Sequence, residues 1–237
     1  MLIYERLYNN FGSRGWWPGD TPFEIIVGAI LTQNTSWENV EKAIAQLKIY
    51  NLLDLEGMYK VEESLLAKAI RSSGFYNIKA TRLKNFLVFL IDEYKGNLDV
   101  MFSEDLENIR YKLLGVNGIG PETADSILLY AGCKPVFVVD AYTKRIFSRH
   151  NFISEKNTYN EIQELFMKNI PEDVDLYNEY HALIVNLGKK YCKKKPNCTD
   201  CPLSSLAFFF DSHQGLFENI PFHSISGADE NLNPQNN

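Results

Sequence analysis

The sequence predicts an all-α protein, and two observations support that prediction. Apolar residues recur with helical spacing in one segment after another, beginning at 22–31, where Phe23, Ile26 and Ile30 fall on one stripe. Only one short run, 134–140, is both apolar and β-branched, and we interpret it as a buried segment that crosses the core. A chain of 237 residues is long enough for one sizeable domain or for two small lobes that share a core.

Further predicted helices follow one another along the chain. The segment 37–47 repeats the stripe with Val40, Ile44 and Leu47, and Ser36 before it is a candidate N-cap. The same periodicity predicts helices over 61–70, 77–94, 103–114, 123–131, 141–150, 159–170 and 177–190. From about residue 224 the chain is polar and lacks apolar rhythm, so 224–237 is predicted to be a disordered tail.

Charge bears on the kind of partner that the chain can bind. The net charge of −6 by itself argues against a nucleic-acid partner. Lysines nonetheless cluster within seven residues, at Lys189, Lys190, Lys193, Lys194 and Lys195. A second basic group consists of Arg71, Lys79, Arg82 and Lys84. An acidic protein can still carry a local basic face, and these two groups are the candidates for one.

Hydropathy and the first residues of the chain indicate where in the cell the protein is expected. No apolar run reaches the roughly 18–20 residues that a membrane-spanning helix needs. The segment 1–12 carries an acidic residue early and has no small-residue cleavage site, unlike a signal peptide. These features predict a cytoplasmic protein without a membrane partner.

A glycine-containing turn lies between two predicted helices. Residues 115–124 read GVNGIGPETA, and the turn of this helix–hairpin–helix arrangement is filled by Val116, Asn117, Gly118, Ile119 and Gly120. Glycine permits positive φ and close approach of a ligand, and successive N–H groups at a helix start form an anion-binding concavity. The ligand expected there is a DNA phosphate, held without sequence readout. An ordinary helix–helix turn is the alternative interpretation.

Asp140 stands where the buried run ends and the helix 141–150 begins. An Asp in that place is an N-cap on structural grounds alone. Together with the hairpin, however, it resembles the endonuclease III superfamily of base excision DNA glycosylases. Three further motifs follow the same order, namely LTQNT (31–35), SGFYNIKATRL (73–83) and GKKYCKKKPNCTDCP (188–202). The resemblance extends from about residue 20 to residue 205.

The resemblance implies an architecture and a partner. The fold would consist of two helical lobes with the active-site cleft between them. A central six-helix lobe would span about 21–132, and 1–20 together with 133–223 would form the second lobe. The substrate would be double-stranded DNA with damaged bases, bound by a monomer in the nucleoid.

The resemblance also implies site residues. Asp140 would be the catalytic carboxylate that stabilises an oxocarbenium-like sugar and orients or deprotonates water. Gln33 and Asn34 match the position at which the family inserts a residue into the duplex after base extrusion, although a loop amide capping the next helix is the alternative. Glu122 stands where bifunctional members carry a lysine that forms a Schiff base. A glutamate cannot form a Schiff base, so the protein is predicted to be a monofunctional glycosylase. Lys79 and Lys144 could in principle supply the amine instead, but neither occupies the motif position.

The base pocket is predicted from Trp17, Pro18, Trp37 and Glu122. The run Trp16, Trp17 and Pro18 resembles the branch that removes 3-methyladenine, with core anchoring as the alternative for the two tryptophans. An alkylated purine is cationic, and an indole face attracts it by stacking and a cation–π interaction of roughly 0.5–2 kcal/mol. Two other functions stay open: a glycosylase/lyase acting on oxidised pyrimidines or mismatches, and a noncatalytic DNA-binding module.

Three clustered cysteines raise the question of a structural iron–sulfur cluster, a cofactor that catalysis itself would not require. Many family members hold a [4Fe–4S] cluster with four cysteines, and this chain offers Cys192, Cys198 and Cys201. The fourth ligand would fall near residue 207, where Ala207 and Phe208 stand. Either Ser204, Ser205 or an exogenous group completes the set, or packing of 208–210 replaces the metal. Cys133 is predicted to be a core thiol, and His181, on an apolar helix face, is predicted to be a core or interface side chain rather than a catalytic group.

Overall fold

In a computed structural model, residues 1–15 and 19–208 are described, apart from the side chains of residues 207 and 208. The α-helices are α1 Leu2–Phe11, α2 Pro22–Leu31, α3 Trp37–Ile49, α4 Leu55–Lys60, α5 Glu63–Ala69, α6 Tyr76–Tyr94, α7 Leu98–Ser103, α8 Leu106–Leu114, α9 Pro121–Ser126, α10 Ala141–Arg149, α11 Tyr159–Asn169 and α12 Val174–Lys190. A π-helical turn, Ile127–Ala131, continues α9, and short 3₁₀ turns cover Arg71–Ser73 and Ser204–Phe208. The all-α prediction is confirmed. No described helix combines the length and apolar character of a membrane span.

The helix predictions missed capping signals in polar segments. Helices α1 and α4 were not predicted, and the expected helix over 103–114 is replaced by α7 and α8. Short side chains start α4 and α8, whereas α1 has no side-chain cap: Asp54 accepts from the Gly57 N–H at 2.8 Å, and Asp105 accepts from the Asn108 N–H at 3.0 Å. Each cap satisfies a backbone donor that the helix leaves open, so it sets the boundary where apolar periodicity is weak. Ser36 precedes α3 as predicted, but its side chain makes no capping hydrogen bond.

The helices pack in two groups, as the predicted two-lobe architecture requires. In one group α2 contacts α3, α6, α9 and the π-helical turn, while α4, α5 and α7 contact α6. In the other, α12 contacts α1 and α10. The π-helical turn touches both α2 and α12, so it joins the groups. The limits predicted for each lobe stay a prediction, and the tail 224–237 lies outside the described residues.

The segment between α9 and α10 is buried, as predicted. Val136 to Val139 are at most 4% exposed and form no strand. Phe137 stacks on Phe166 at 4.1 Å between ring centroids and meets Tyr177 edge-on at 5.6 Å. Extended backbone inside a core needs polar partners. A side-chain network supplies them.

Asp125 is the centre of that network and is fully buried. Its carboxylate accepts two bonds from Arg110 at 2.6 and 3.0 Å, one from the Tyr159 hydroxyl at 2.8 Å and one from the Gln163 amide at 2.7 Å. Gln163 also donates to the Phe137 carbonyl at 2.7 Å. The network thus ties α8, α9 and α11 to the crossing segment that leads into Asp140.

We predict that Asp125→Ala lowers the free energy of unfolding by about 3–5 kcal/mol, because it leaves the Arg110 guanidinium half-buried without its carboxylate. Urea titration of the variant and the wild type measures this change. Glu38→Ala is the matched control, since it also breaks an ion pair, at 2.9 Å to Lys42, but on the surface. A loss no larger for Asp125→Ala than for Glu38→Ala would contradict the role of the network.

Candidate active site

Asp140 begins α10 and is held there by its own helix. Its Oδ1 accepts from the Thr143 N–H at 2.7 Å and from the Thr143 hydroxyl at 2.9 Å. The side chain is 11% exposed. The capping role is therefore real, but it engages one carboxylate oxygen and leaves Oδ2 for other partners. Capping and catalysis are compatible in this geometry.

Two ionisable side chains from other helices face Asp140. His181 on α12 places its Nε2 at 3.7 Å from Oδ2 of Asp140. Glu122 on α9 is close enough that the Asp140 charge raises the pKa of Glu122. Because α9 and α12 belong to different helix groups, Asp140 lies where the two groups meet. Its ionisable partners are a carboxyl group and an imidazole, neither of which is a permanent cation.

The two carboxyl groups titrate in different directions. Glu122 keeps exposed surface, but partial loss of solvation around its carboxyl group raises its pKa to about 7, repulsion from Asp140 adds to this and His181 opposes it. Burial would also raise the pKa of Asp140, but the His181 ring that faces Oδ2, together with the Thr143 donors, outweighs burial and lowers it. Near neutral pH Asp140 is thus a carboxylate beside a Glu122 that can hold a proton. Neighbouring acids with separated pKa values are a common basis for acid and base roles.

His181 is the residue whose position the sequence did not predict. It is buried, as expected of a core side chain, but it lies beside Asp140. Its Nδ1 shares a hydrogen bond with the Tyr130 hydroxyl, from the π-helical turn. An isolated His on an apolar helix face carries no sequence signal for this, since 41 residues separate it from Asp140.

Buried and exposed residues alternate in the turn of the hairpin. Val116 and Ile119 are buried in the core, whereas Asn117 and Gly120 are exposed. Gly118 has a φ of 95°, and a Cβ there would lie 2.2 Å from Cγ of Arg82. Gly120 has a φ of −93° and open space at the Cβ position. In the described part of the chain, the N–H groups of these glycines donate no hydrogen bond, so they are available to an anion.

Gln33 is bonded to the hairpin rather than to the N-terminus of α3. Its amide nitrogen donates to the Gly118 carbonyl at 3.0 Å and to the Thr123 hydroxyl at 2.9 Å, and its oxygen accepts from Arg82. The neighbouring Asn34 is exposed, with a φ of 55°. The capping alternative for Gln33 is therefore wrong, while DNA insertion by Gln33 and Asn34 stays a prediction.

Lys79 connects the loop at 73–75 to the loop at 31–35, which is itself bonded to the hairpin. It is 1% exposed and its Nζ donates to the carbonyls of Leu31 at 2.7 Å and Ser73 at 2.6 Å. Burial, together with repulsion from Arg82, lowers the pKa of Lys79 to about 8. The hairpin, 31–35 and 73–75 thus lie together. In the last of these, Phe75 is 68% exposed with a φ of 46°, a feature that the sequence analysis did not single out.

Two lysines of the second basic group bind backbone carbonyls, while Arg71 is exposed. Lys79 is buried, and Lys84 donates to the carbonyls of Met58 at 2.8 Å, Tyr59 at 2.7 Å and Val61 at 2.5 Å. The lysines at 189–195 behave as predicted in one respect, because all five are exposed. Arg149 fixes their loop by donating to the Lys193 carbonyl at 2.6 Å. Their contact with DNA stays a prediction.

Of the four residues predicted to form the base pocket, the structure describes Trp37 and Glu122. Trp17 and Pro18 lie outside the described residues. Trp37 is half-buried, donates to Glu41 at 2.9 Å and lines a cavity of about 270 Å³. The residues that line this cavity are Gly19, Asp20, Glu24, Trp37, Glu41, Ile44, Ala45 and Lys48. Glu122 and Asp140 are not among them, so this cavity does not join Trp37 to the two carboxyl groups.

The three clustered cysteines do not fit a metal centre in this structure. Within residues 1–15 and 19–208 no group of three or more His, Cys, Asp or Glu side chains is arranged to hold a metal ion. Cys192 is buried and accepts from Arg149 at 3.3 Å, whereas Cys198 is exposed. Leu203 and Leu206 pack into the core beside this loop. The packing proposed for 208–210 lies outside the described side chains.

Cys133 is not the core thiol that the sequence predicted. It is exposed and has a φ of 48°. The chain turns sharply there, directly after the π-helical turn, and the Lys134 N–H donates back to the Leu128 carbonyl at 2.9 Å. The buried run begins later, at Val136.

Comparison with known proteins decides the family. The family described as HhH-GPD superfamily base excision DNA repair protein matches residues 27–172, a span that includes the hairpin, Glu122 and Asp140. The chain belongs to this superfamily. The resemblance to endonuclease III and its relatives is thereby confirmed, and with it the class of enzyme: a base excision DNA glycosylase, whose substrate is DNA.

Relatives of this HhH-GPD protein cover most of its length. A Methanocaldococcus jannaschii protein provisionally named a DNA repair glycosylase is 52% identical over 203 residues, covering 85% of this chain and 92% of the relative. The Helicobacter pylori 3-methyladenine DNA glycosylase bound to 1,N6-ethenoadenine is 32% identical, with a TM-score of 0.71, covering 80% of this chain and 96% of the other. A noncovalent endonuclease III–DNA complex gives 25% identity, a TM-score of 0.75 and coverage of 86% and 92%.

The two hairpin glycines allow a matched test of phosphate binding. Gly120→Ala should cost less than about 1 kcal/mol of stability, because the Cβ meets open space. It should weaken DNA binding about tenfold, because the methyl group keeps a phosphate from the turn's N–H groups. Gly118→Ala should instead cost about 1–3 kcal/mol through positive φ. Fluorescence anisotropy at fixed salt and thermal unfolding measure the two effects, and unchanged binding by Gly120→Ala would contradict the phosphate site.

Proposed function

We propose that this glycosylase is monofunctional and favours alkylated, cationic purines such as 3-methyladenine. The observation that carries the proposal is the pairing of Asp140 with Glu122 at the junction of the helix groups. Asp140 supplies the ionised oxygen that stabilises positive charge on the sugar and orients or deprotonates the attacking water. The two hydrogen bonds that Thr143 donates to Oδ1 keep that carboxylate in one orientation.

Glu122 supports the absence of lyase chemistry. Strand cleavage through a Schiff base needs an amine beside the sugar. The two lysines considered as substitutes are engaged elsewhere, since Lys79 is buried against two carbonyls and Lys144 donates to the Asn157 carbonyl at 3.0 Å. Glu122 itself stands next to Asp140 and cannot form an imine.

The same pair supports a preference for cationic bases. Two carboxyl groups carrying at least one negative charge make the site attractive to a positively charged purine, and that base is already a good leaving group. The likeness to the Helicobacter pylori 3-methyladenine glycosylase points the same way. A neutral oxidised pyrimidine would gain nothing from this attraction between base and site, although its sugar would still be stabilised by Asp140.

A substrate panel tests the proposal. Duplexes carrying 3-methyladenine, 7-methylguanine, 1,N6-ethenoadenine, thymine glycol, uracil or a G·T mismatch are incubated with enzyme in excess, and base release is followed over time. We expect release of the alkylated purines with the abasic strand left uncut, and a loss of at least about a hundredfold in Asp140→Asn.

Each other outcome is informative. Release of thymine glycol without any alkylated purine would refute the substrate preference but leave the glycosylase assignment intact. DNA binding without release of any base by the wild type would favour the noncatalytic module. Full activity of Asp140→Asn would remove Asp140 from its catalytic role.

We also predict that Glu122→Lys gains a covalent intermediate. An amine at this position would lie beside Asp140 and could attack the sugar of an abasic duplex to form an imine, which borohydride reduces to a stable adduct. Gel electrophoresis of the trapped complex is the measurement, with Glu122→Gln as the matched control that lacks the amine. A trapped adduct already present in the wild type would show that the protein is a lyase.

A further inference from the structure

The polar contacts behind Asp140 form a chain of three side chains. Tyr130 bonds to Nδ1 of His181, and Nε2 of His181 stands 3.7 Å from Oδ2 of Asp140. The His181 and Asp140 side chains are only 5% and 11% exposed. Nε2 is buried and makes no hydrogen bond within the described residues, so Asp140 is the polar partner that it faces. A buried imidazole nitrogen left in this way is costly unless it serves that carboxylate.

The π-helical turn sets the position of Tyr130. The Gly132 N–H donates to the Ile127 carbonyl at 3.1 Å, five residues back, and this wide turn contains Tyr130. Such turns are uncommon and frequently occur at functional sites. Here the turn lies between the two helix groups and presents a hydroxyl to α12.

The Tyr130 bond also controls where the imidazole carries its proton. If the hydroxyl donates to Nδ1, the neutral ring must carry its proton on Nε2, which faces Asp140. If the ring is protonated, both nitrogens carry protons. The remaining tautomer would turn a lone pair toward the carboxylate and is disfavoured by repulsion. Both favourable states therefore present an N–H group to Oδ2.

We propose that His181 is a positioning residue, held by Tyr130, that orients Asp140 through Oδ2 and keeps it ionised for base excision. This inference rests on the proposed catalytic role of Asp140. Thr143 fixes Oδ1 and His181 fixes the opposite oxygen, so the carboxylate is restrained from both sides. The distance of 3.7 Å is an ion-pair distance, and a shift of under about 1 Å would make it a hydrogen bond.

The charged and titratable groups around Asp140 determine the expected pH dependence. Glu122 faces it from α9 and disfavours a second negative charge; His181 faces it from α12 and favours that charge; Tyr130 acts through His181. Burial raises the pKa of Asp140, and the contacts with His181 are the main cause of its net decrease. Removing His181 therefore raises this pKa, and activity that needs the carboxylate is lost at a higher pH as the solution is acidified.

The test compares single-turnover base release across pH for four variants. His181→Leu removes the donor, His181→Gln keeps an N–H near the Nε2 position without a titratable ring, and Tyr130→Phe frees Nδ1. Tyr177→Phe is the matched control, because it deletes a buried hydroxyl on α12 that has no hydrogen-bond partner among the described residues. The substrate is the base that the wild type releases fastest.

We expect His181→Leu to react about ten- to a hundredfold more slowly at neutral pH, as for loss of a hydrogen bond to a charged group. Its acid limb should move to higher pH by about one unit or more. His181→Gln should recover part of the rate, Tyr130→Phe should lose less than His181→Leu, and Tyr177→Phe should match the wild type. DNA affinity should stay unchanged in all four.

Two results would overturn the inference. One is a wild-type rate and pH profile in His181→Leu. The other is a rate that falls equally at all pH values together with DNA affinity, which would indicate a merely structural role. If His181→Leu does not fold, His181→Gln and Tyr130→Phe decide by the same criteria. If Asp140→Asn is active, the proposed function and this inference both fail. If Asp140→Asn is inactive while the His181 variants behave like the wild type, this inference alone fails.

Discussion

The position of one carboxylate, that of Asp140, is the constraint on which the rest of the site depends. Removing a charged group from water is unfavourable unless other dipoles or charges replace the lost solvation. Here the start of α10 supplies two donors to Oδ1, and His181 faces Oδ2. Each of these contacts comes from a helix whose packing is fixed elsewhere. The reactivity proposed for Asp140 is therefore a property of how α9, α10 and α12 meet.

Buried polar groups fix the loops that bring these helices together. Asp125 holds the segment before Asp140 through Gln163 and Tyr159, and Lys79 holds the ends of two loops by their carbonyls. Gln33 connects one of those loops to the hairpin. Hydrophobic packing alone is tolerant of small shifts. Hydrogen bonds between buried partners are directional, so they define the positions that a site of this kind requires.

The sequence predicted what is encoded locally and missed what depends on long-range contacts. Helix periodicity, the hairpin glycines and the Asp140 cap are local patterns; most of the predicted helices and the cap are observed where they were expected, whereas α1 and α4 were missed. His181 could not be placed, because only the fold brings it to Asp140. Lys79 and Lys84 looked like surface charges because a sequence does not show which lysines donate to buried carbonyls. The prediction that Cys133 is a core thiol was wrong for a similar reason, because the exposure of Cys133 depends on the backbone turn after the π-helical turn.

The distribution of charge reconciles an acidic protein with a DNA substrate. The hairpin offers peptide N–H groups, whose dipoles attract phosphate without any net charge. Helices α10 and α12 pack together, with Asp140 opposite His181 and Arg145 donating to the Cys192 carbonyl at 2.8 Å. The eight residues from His181 to Lys189 span about 12 Å of helix, so the exposed lysines follow His181 by at least that distance along α12. Negative charge is concentrated where we propose that a cationic base enters, and positive charge lies where a phosphate backbone could pass. Net charge, summed over the chain, conceals this separation.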